Sequence, residues 1–306
     1  MRTLSLSRMH KDFKRNKFLY LLAAPVIVYY LIFHYFPMYG AIIAFKHYTP
    51  MKGVWGSEWA GFEHFHAFVT GFYFWRLLKN TLLLSLNSLL FEFTVPILLA
   101  LLINEVRNRY FKTAVQTIAY MPYFISLIVV CGIVKDFTKS GGLINMVYSF
   151  VSRTEGQDML QQPELFRMIY VLSEIWQRVG WESIIYIAAL STIDMEQYES
   201  ARIDGASRLR QMWHITLPGL APTIIIMLIL RIGHLLEVGY EKIILLYNPV
   251  TYETADVIST YVYRKGLLEA DWSFSTAVGL FNSIFNLLLL FAANHISRRL
   301  SRSSLW

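Results

Sequence analysis

Two runs of ionisable residues interrupt stretches that are otherwise apolar, and their spacing puts each run on one side of a helix. Glu174, Arg178 and Glu182 recur every fourth residue, with Trp176 and Trp181 between them. Arg231, His234 and Glu237 recur every third and share a broader face. A charge at membrane depth costs about 2.5 kcal/mol or more, so such groups turn away from lipid. Two readings are open here. The residues line a polar path for a solute, with the indoles as flat stacking faces, or they form self-neutralising pairs, Glu174–Arg178 and Arg231–Glu237. Glu92, near Pro96, is a lone acid in another apolar stretch. Asn282 and Asn286 stand one turn apart, which suits hydrogen bonding between helices better than contact with a solute.

Other chemistry has less footing. Glu63-His64-Phe65-His66 gathers two imidazoles and a carboxylate, but no further ligand stands at a workable spacing, and a surface histidine pair is the better reading. Cys131 is the single cysteine, so the chain can form neither an internal disulfide nor a Cys/His zinc pattern, and it reads as a small buried apolar side chain. No H-E-x-x-H or G-x-S-x-G is present, and no phosphate-cradling G-x-x-x-x-G-K-[ST] loop.

The elements that hold these residues follow from composition. Of 306 residues 55% are hydrophobic and only 16% charged, and mean hydropathy is +0.41. A soluble domain carries about 25% charged residues. Soluble enzymes, nucleic-acid-binding domains and disordered chains are therefore poor fits, and an all-α integral membrane protein is the natural class. Six stretches reach the roughly 20 residues a spanning helix needs: 18–38, 81–103, 113–134, 169–190, 219–240 and 274–296. The basic start 1–17 leads into an uncleaved first span, 18–296 forms one membrane domain, and 297–306 is a tail. With the N-terminus inside, the inner segments hold 15 Lys/Arg in 63 residues and the outer ones 10 in 99. The net charge of +7 thus records orientation, with both termini cytoplasmic, and gives no support to a nucleic-acid partner. The outer loops are rich in Trp, Tyr and Phe, as in an interfacial belt or a cap.

The longest inner loop, 191–218, looks helical twice. Met195–Ile203 is one stretch, Gly205 interrupts, and 206–215 resumes with Leu209, Met212 and Trp213 at helical spacing before Pro218 begins the next span. An interfacial connector is the plain reading of that periodicity.

Glu199-Ser200-Ala201, three residues, Gly205, nine residues, then Ile215-Thr216-Leu217-Pro218 resembles the EAA loop of permease subunits of binding-protein-dependent ABC importers. The spacing matches throughout, with Ser200 in place of the usual alanine. Asp204-Gly205-Ala206 and His214 before Ile215 are similar to the sugar-importing branch. Phe36-Pro37-Met38-Tyr39-Gly40, Asn248-Pro249, the run 254–263 and the run 275–283 resemble a subfamily for complex oligosaccharides, close to alginate and rhamnogalacturonan importers.

The resemblance implies the type I importer fold, with six spans and a cytoplasmic helix–glycine–helix coupling loop in the bacterial inner membrane. It implies a second homologous permease, two ATPase subunits that bind the ATP-Mg this chain cannot, and an extracytoplasmic solute-binding protein. Glu199, Ser200, Ala201, Asp204, Gly205 and Ala206 would dock the ATPase, and no cofactor would bind the chain itself. Glu174, Trp176, Arg178, Trp181, Glu182, Arg231, His234, Glu237 and Asn282 are the candidate path for an oligo- or polysaccharide, acidic in that subfamily. A membrane-embedded enzyme acting on a lipid-linked sugar is the alternative.

Overall fold

Long apolar runs become helices because a helix satisfies every backbone group internally, which lipid cannot do. The computed structural model describes residues 14–153 and 156–300. The basic residues of 1–13 and the last residues of the tail lie outside the described residues. The main helices are α1 (Lys17–Phe45), α2 (Glu63–Val69), α3 (Phe74–Glu105), α4 (Arg109–Phe124), α5 (Leu127–Thr138) and α6 (Leu143–Ser152). They are followed by α7 (Pro163–Leu190), α8 (Met195–Ile203), α9 (Arg208–Gly233), α10 (Tyr240–Leu246), α11 (Ile258–Tyr263) and α12 (Trp272–Leu300).

Among the described residues, α1, α3, α9 and α12 are long and apolar enough to cross a membrane, and α4 with the Leu127–Ser152 stretch would make a fifth. The expected span 113–134 is not straight: the chain bends by 102° between α4 and α5. Pro122 has no N–H to continue the ladder, and Ile125 and Ser126 turn to extended backbone. The expected span 219–240 also ends early, at Gly233.

At its other end α9 begins earlier than expected. Pro218 lies inside it rather than opening it. A wide turn over Met212–Thr216 precedes the proline, with the Leu217 N–H donating to the Met212 carbonyl five residues back. That widening makes room where a proline ring would otherwise press on the carbonyl four residues before it.

The two ends of the bundle differ. At one, β1 (Lys46–His47) pairs antiparallel with β2 (Glu58–Trp59), and the Tyr48 N–H donates to Ser273 Oγ at 2.9 Å, tying this hairpin to α12. There too Asp256, fully buried, accepts from Arg264 at 2.7 Å and lies 3.6 Å from Arg76. Burial pulls the Arg264 guanidinium down, but hydrogen bonds and charge from Asp256 outweigh it and hold the group above its ordinary value. At the opposite end, α8 and the start of α9 project beyond Glu105, which pairs with Arg208 at 3.7 Å.

The centre is the contact of α3 with α7. On the far side of α7, α4 crosses so closely that a Cβ on Gly180 would stand 2.1 Å from the Ala119 carbonyl oxygen and 2.8 Å from the Tyr120 nitrogen. Both are backbone atoms and cannot swing aside. Gly279 in α12 has open space around it. Gly180→Ala is therefore expected to destabilise the solubilised protein by about 3 kcal/mol or more, while Gly279→Ala leaves its thermal midpoint unchanged or slightly raised. Equal midpoints for the two variants would refute the close crossing.

Candidate functional site

Between α3, α7 and the linker that follows α9 lies a cavity of about 180 Å³. Ser88 and Glu92 enter it from α3, Glu174 and Arg178 from α7, Arg231 from α9, and His234 and Glu237 from the linker. A wider cavity of about 490 Å³ shares Arg231 and His234 and adds Trp181, Glu182, Tyr186 and Met227. Seven of the nine candidate path residues thus converge. Trp176 lines neither space, and Asn282 lines a separate groove with Tyr240, Tyr263 and Trp272.

The linker exists because α9 stops at Gly233, and its released backbone groups are taken up by α12. Asn286 Oδ1 accepts from the Leu236 N–H at 3.0 Å, Asn286 Nδ2 donates to Glu237 at 3.4 Å, and Asn282 Nδ2 donates to the Leu236 carbonyl at 3.5 Å. Both asparagines bond to this linker, not to a neighbouring helix as their spacing suggests. This irregular backbone carries His234 and Glu237 to the cavity wall, where they pair at 2.9 Å.

Within the cavity the ion pairs only half follow the expected pattern. Arg178 does pair with Glu174, Nε to Oε2 at 3.0 Å, and stands 3.8 Å from Glu182. Arg231 does not pair with Glu237; it reaches across to Glu92 at 2.5 Å, so that acid is not alone. Lys242, only 1% exposed, sets its Nζ 3.1 Å from Glu174 Oε1, within ion-pair range although not aligned for a hydrogen bond. Lys242 was not apparent in the sequence, because it sits in a short helix among aliphatic residues with no periodic partner. The carboxylates paired with the two arginines lie behind their guanidiniums, while Glu237, its side chain 56% exposed, lines the same cavity in the open. Glu92 and Glu174 side chains are 7% and 11% exposed, against 34% and 50% for Arg231 and Arg178. Such a wall offers two forked cationic donors to an anion. The Trp181 indole offers less than expected, since Tyr123 stacks on it at 4.6 Å with planes 3° apart.

The loop 191–218 forms an exposed knob. Asp194 caps α8 by accepting from the Glu196 N–H at 3.0 Å. The helix closes at Gly205, whose φ of +70° favours glycine, with the Ala206 N–H returning to the Ala201 carbonyl at 2.8 Å. A Cβ on Gly205 would meet nothing within the chain, so an intramolecular obstruction is not what demands glycine; the left-handed turn is. Glu199, Ser200, Asp204 and Gly205 are exposed, with Ala201 and Ala206 partly so. Tyr198 Oη lies 3.0 Å from Thr216 Oγ1 and Gln211 Nε2 donates to the Ala206 carbonyl at 2.9 Å, which bind the knob to α9.

Elsewhere, His64 contacts the Lys46 carbonyl at 3.1 Å and Glu63 pairs with His47 at 3.2 Å, and no group of three metal-ligating side chains occurs among the described residues. Cys131 is free and buried.

A family model described as binding-protein-dependent transport system inner membrane component matches residues 92–302. Protein LplB of Bacillus subtilis (strain 168) is 46% identical over 96% of this chain and 92% of its own length. The polygalacturonan/rhamnogalacturonan transport system permease protein YteP of the same organism is 45% identical over 95% and 91%. A crystal structure of a bacterial ABC transporter importing the acidic polysaccharide alginate contains a chain that is 48% identical, with a TM-score of 0.88 over 96% of this chain and 99% of that one. A second, of an alginate ABC transporter with an alginate pentasaccharide-bound periplasmic protein, gives 47% and 0.89 over 97% and 100%.

Glu174→Gln should strand Lys242 as a buried unpaired cation and cost about 3–5 kcal/mol of stability. The double variant Glu174→Leu with Lys242→Met should recover most of the thermal midpoint. A single variant as stable as wild type would show that the pair is not what seats Lys242.

Proposed function

We infer the function from a plain premise: the chain belongs to the family of binding-protein-dependent transport system inner membrane components. It is a multi-pass membrane permease subunit of a sugar-importing ABC system, not an enzyme, which displaces the alternative of catalysis on a lipid-linked sugar. We propose that it crosses the membrane six times, the sixth span being α7. That helix has 28 residues, about 42 Å of axis, ample for a hydrocarbon core of about 30 Å. Of its five charged residues, Glu174, Arg178 and Glu182 interrupt the apolar run, and these three line the two cavities.

The knob then lies on the cytoplasmic side and docks a partner ATPase through Glu199, Ser200, Ala201, Asp204, Gly205 and Ala206. ATP and magnesium belong to those partners. A second homologous permease would complete the channel. The aromatic loops at the opposite end would receive the solute-binding protein.

The substrate we propose is an acidic oligosaccharide, for which uronate carboxylates are the chemistry that recognises Arg178 and Arg231. The observation that carries this reading is the placement of both guanidiniums toward the cavity with their carboxylate partners behind them. The names of YteP and of the alginate importers agree with it. During passage the arginines would exchange Glu92 and Glu174 for substrate carboxylates, as alternating access opens the cavity to one side and then the other.

The test is transport by the assembled importer. Gly205→Asp should abolish ATP-driven uptake while membrane insertion stays at the wild-type level, and retained uptake would sink the docking assignment. In the same assay Arg178→Ala and Arg231→Ala should each lower stimulation of ATPase activity by an acidic oligosaccharide about tenfold. If both leave stimulation unchanged, these arginines do not line the path.

A further inference from the structure

Arg167, one turn into α7, differs from the other enclosed arginines. Arg76, Arg178, Arg231 and Arg264 each stand beside a carboxylate. Arg167 donates from Nη2 to the neutral Asn80 Oδ1 at 2.8 Å, its Nε is enclosed without a partner, and among the described residues no carboxylate comes within ion-pair distance. A cation held this way retains most of its attraction for an anion.

Beneath it runs a groove of about 270 Å³ between α3 and α7. Met168, Leu172 and Ile175 form one wall and Phe91 the other, with Asn87 between. Phe91, Met168 and Leu172 are 48%, 43% and 57% exposed on the outer side of the bundle. The neighbouring residues Glu92 and Glu174 turn the other way, into the charged cavity. From Arg167 to Ile175 the wall extends about 12 Å along the helix axis. Arg167 sits at the end of the helices that carries the aromatic loops, where α7, taken as a span, would meet the headgroups. A fixed cation there, with an apolar trough running down from it, matches one chemistry: a phosphate joined to a hydrocarbon chain.

We propose that this groove binds one phospholipid of net negative charge, its phosphate on the Arg167 guanidinium and an acyl chain along Phe91, Leu172 and Ile175. Guanidinium forks suit phosphate oxygens, and each basic residue near a membrane surface adds measurably to anionic-lipid binding. The bound lipid would brace α3 against α7 on the face opposite the cavity. Only membrane embedding is needed here, so failure would leave the transport reading untouched, and loss of transport would leave this site untouched.

Native mass spectrometry of the assembled importer, exchanged between phosphatidylglycerol and phosphatidylcholine micelles, tests it. Wild type should retain one phosphatidylglycerol in preference to phosphatidylcholine, and Arg167→Gln should reduce that retention about fivefold. Arg167→Lys should restore much of it. Leu172→Trp, which fills the groove and spares the cation, should also lose the lipid while assembly persists. Soluble glycerol phosphate should not compete, and competition would reduce the site to a free-phosphate site and overturn the proposal. Equal retention of the two lipids, no effect of either loss variant, or a partner-permease helix found in the groove would overturn it too.

Discussion

The structure depends on how few charges it has and on where each finds its counter-charge. A carboxylate or ammonium enclosed among apolar helices is tolerable only when compensated. Glu174 meets this twice over, taking Arg178 on one oxygen and Lys242 on the other, and so joins α7 to α10. Glu92 does the same for Arg231 and joins α3 to α9. These pairs fasten helices that apolar packing alone would leave free to slide. They also keep two guanidiniums pointed at empty space. Glu92 and Glu174 are thus enclosed behind the more exposed Arg231 and Arg178, while Glu237 stays open in the same cavity.

Irregular backbone is placed by the same constraint. Inside a membrane, unpaired N–H and C=O groups survive only where protein or a cavity takes them up. The break after Gly233 is such a place: α12 supplies Asn286 and Asn282 as surrogate partners, and the released turn forms the cavity wall. The left-handed residue Gly205 does at the knob what the asparagines do in the cavity. It closes α8 sharply and leaves a thin, exposed helix fastened to α9 by Tyr198 and Gln211. The wide turn before Pro218 keeps α9 continuous, so one unbroken helix joins the knob to Arg231.

Local features were legible in the sequence, and long-range ones were not. The spacing of Glu174 and Arg178 gives their pairing directly, since residues four apart on a helix touch. Helix α8 has the bounds its pattern suggests, Met195–Ile203, because Asp194 and Gly205 punctuate it. Arg231 has an acid six residues on in Glu237, but 139 positions separate it from the Glu92 it meets, and no periodicity links the two. Lys242 is concealed for a similar reason: a lysine beside an aliphatic run looks like a loop cation until tertiary packing encloses it. The bend after α4 was half visible in Pro122, whose missing N–H permits a break without dictating its 102°.

The most direct test is the structure of the assembled importer trapped with an acidic oligosaccharide. A uronate carboxylate should lie within about 4 Å of the Arg178 or Arg231 guanidinium, with the corresponding contact to Glu174 or Glu92 lengthened. A sugar that crosses the subunit while both arginines remain closed on their carboxylates, touching neither, would contradict the account.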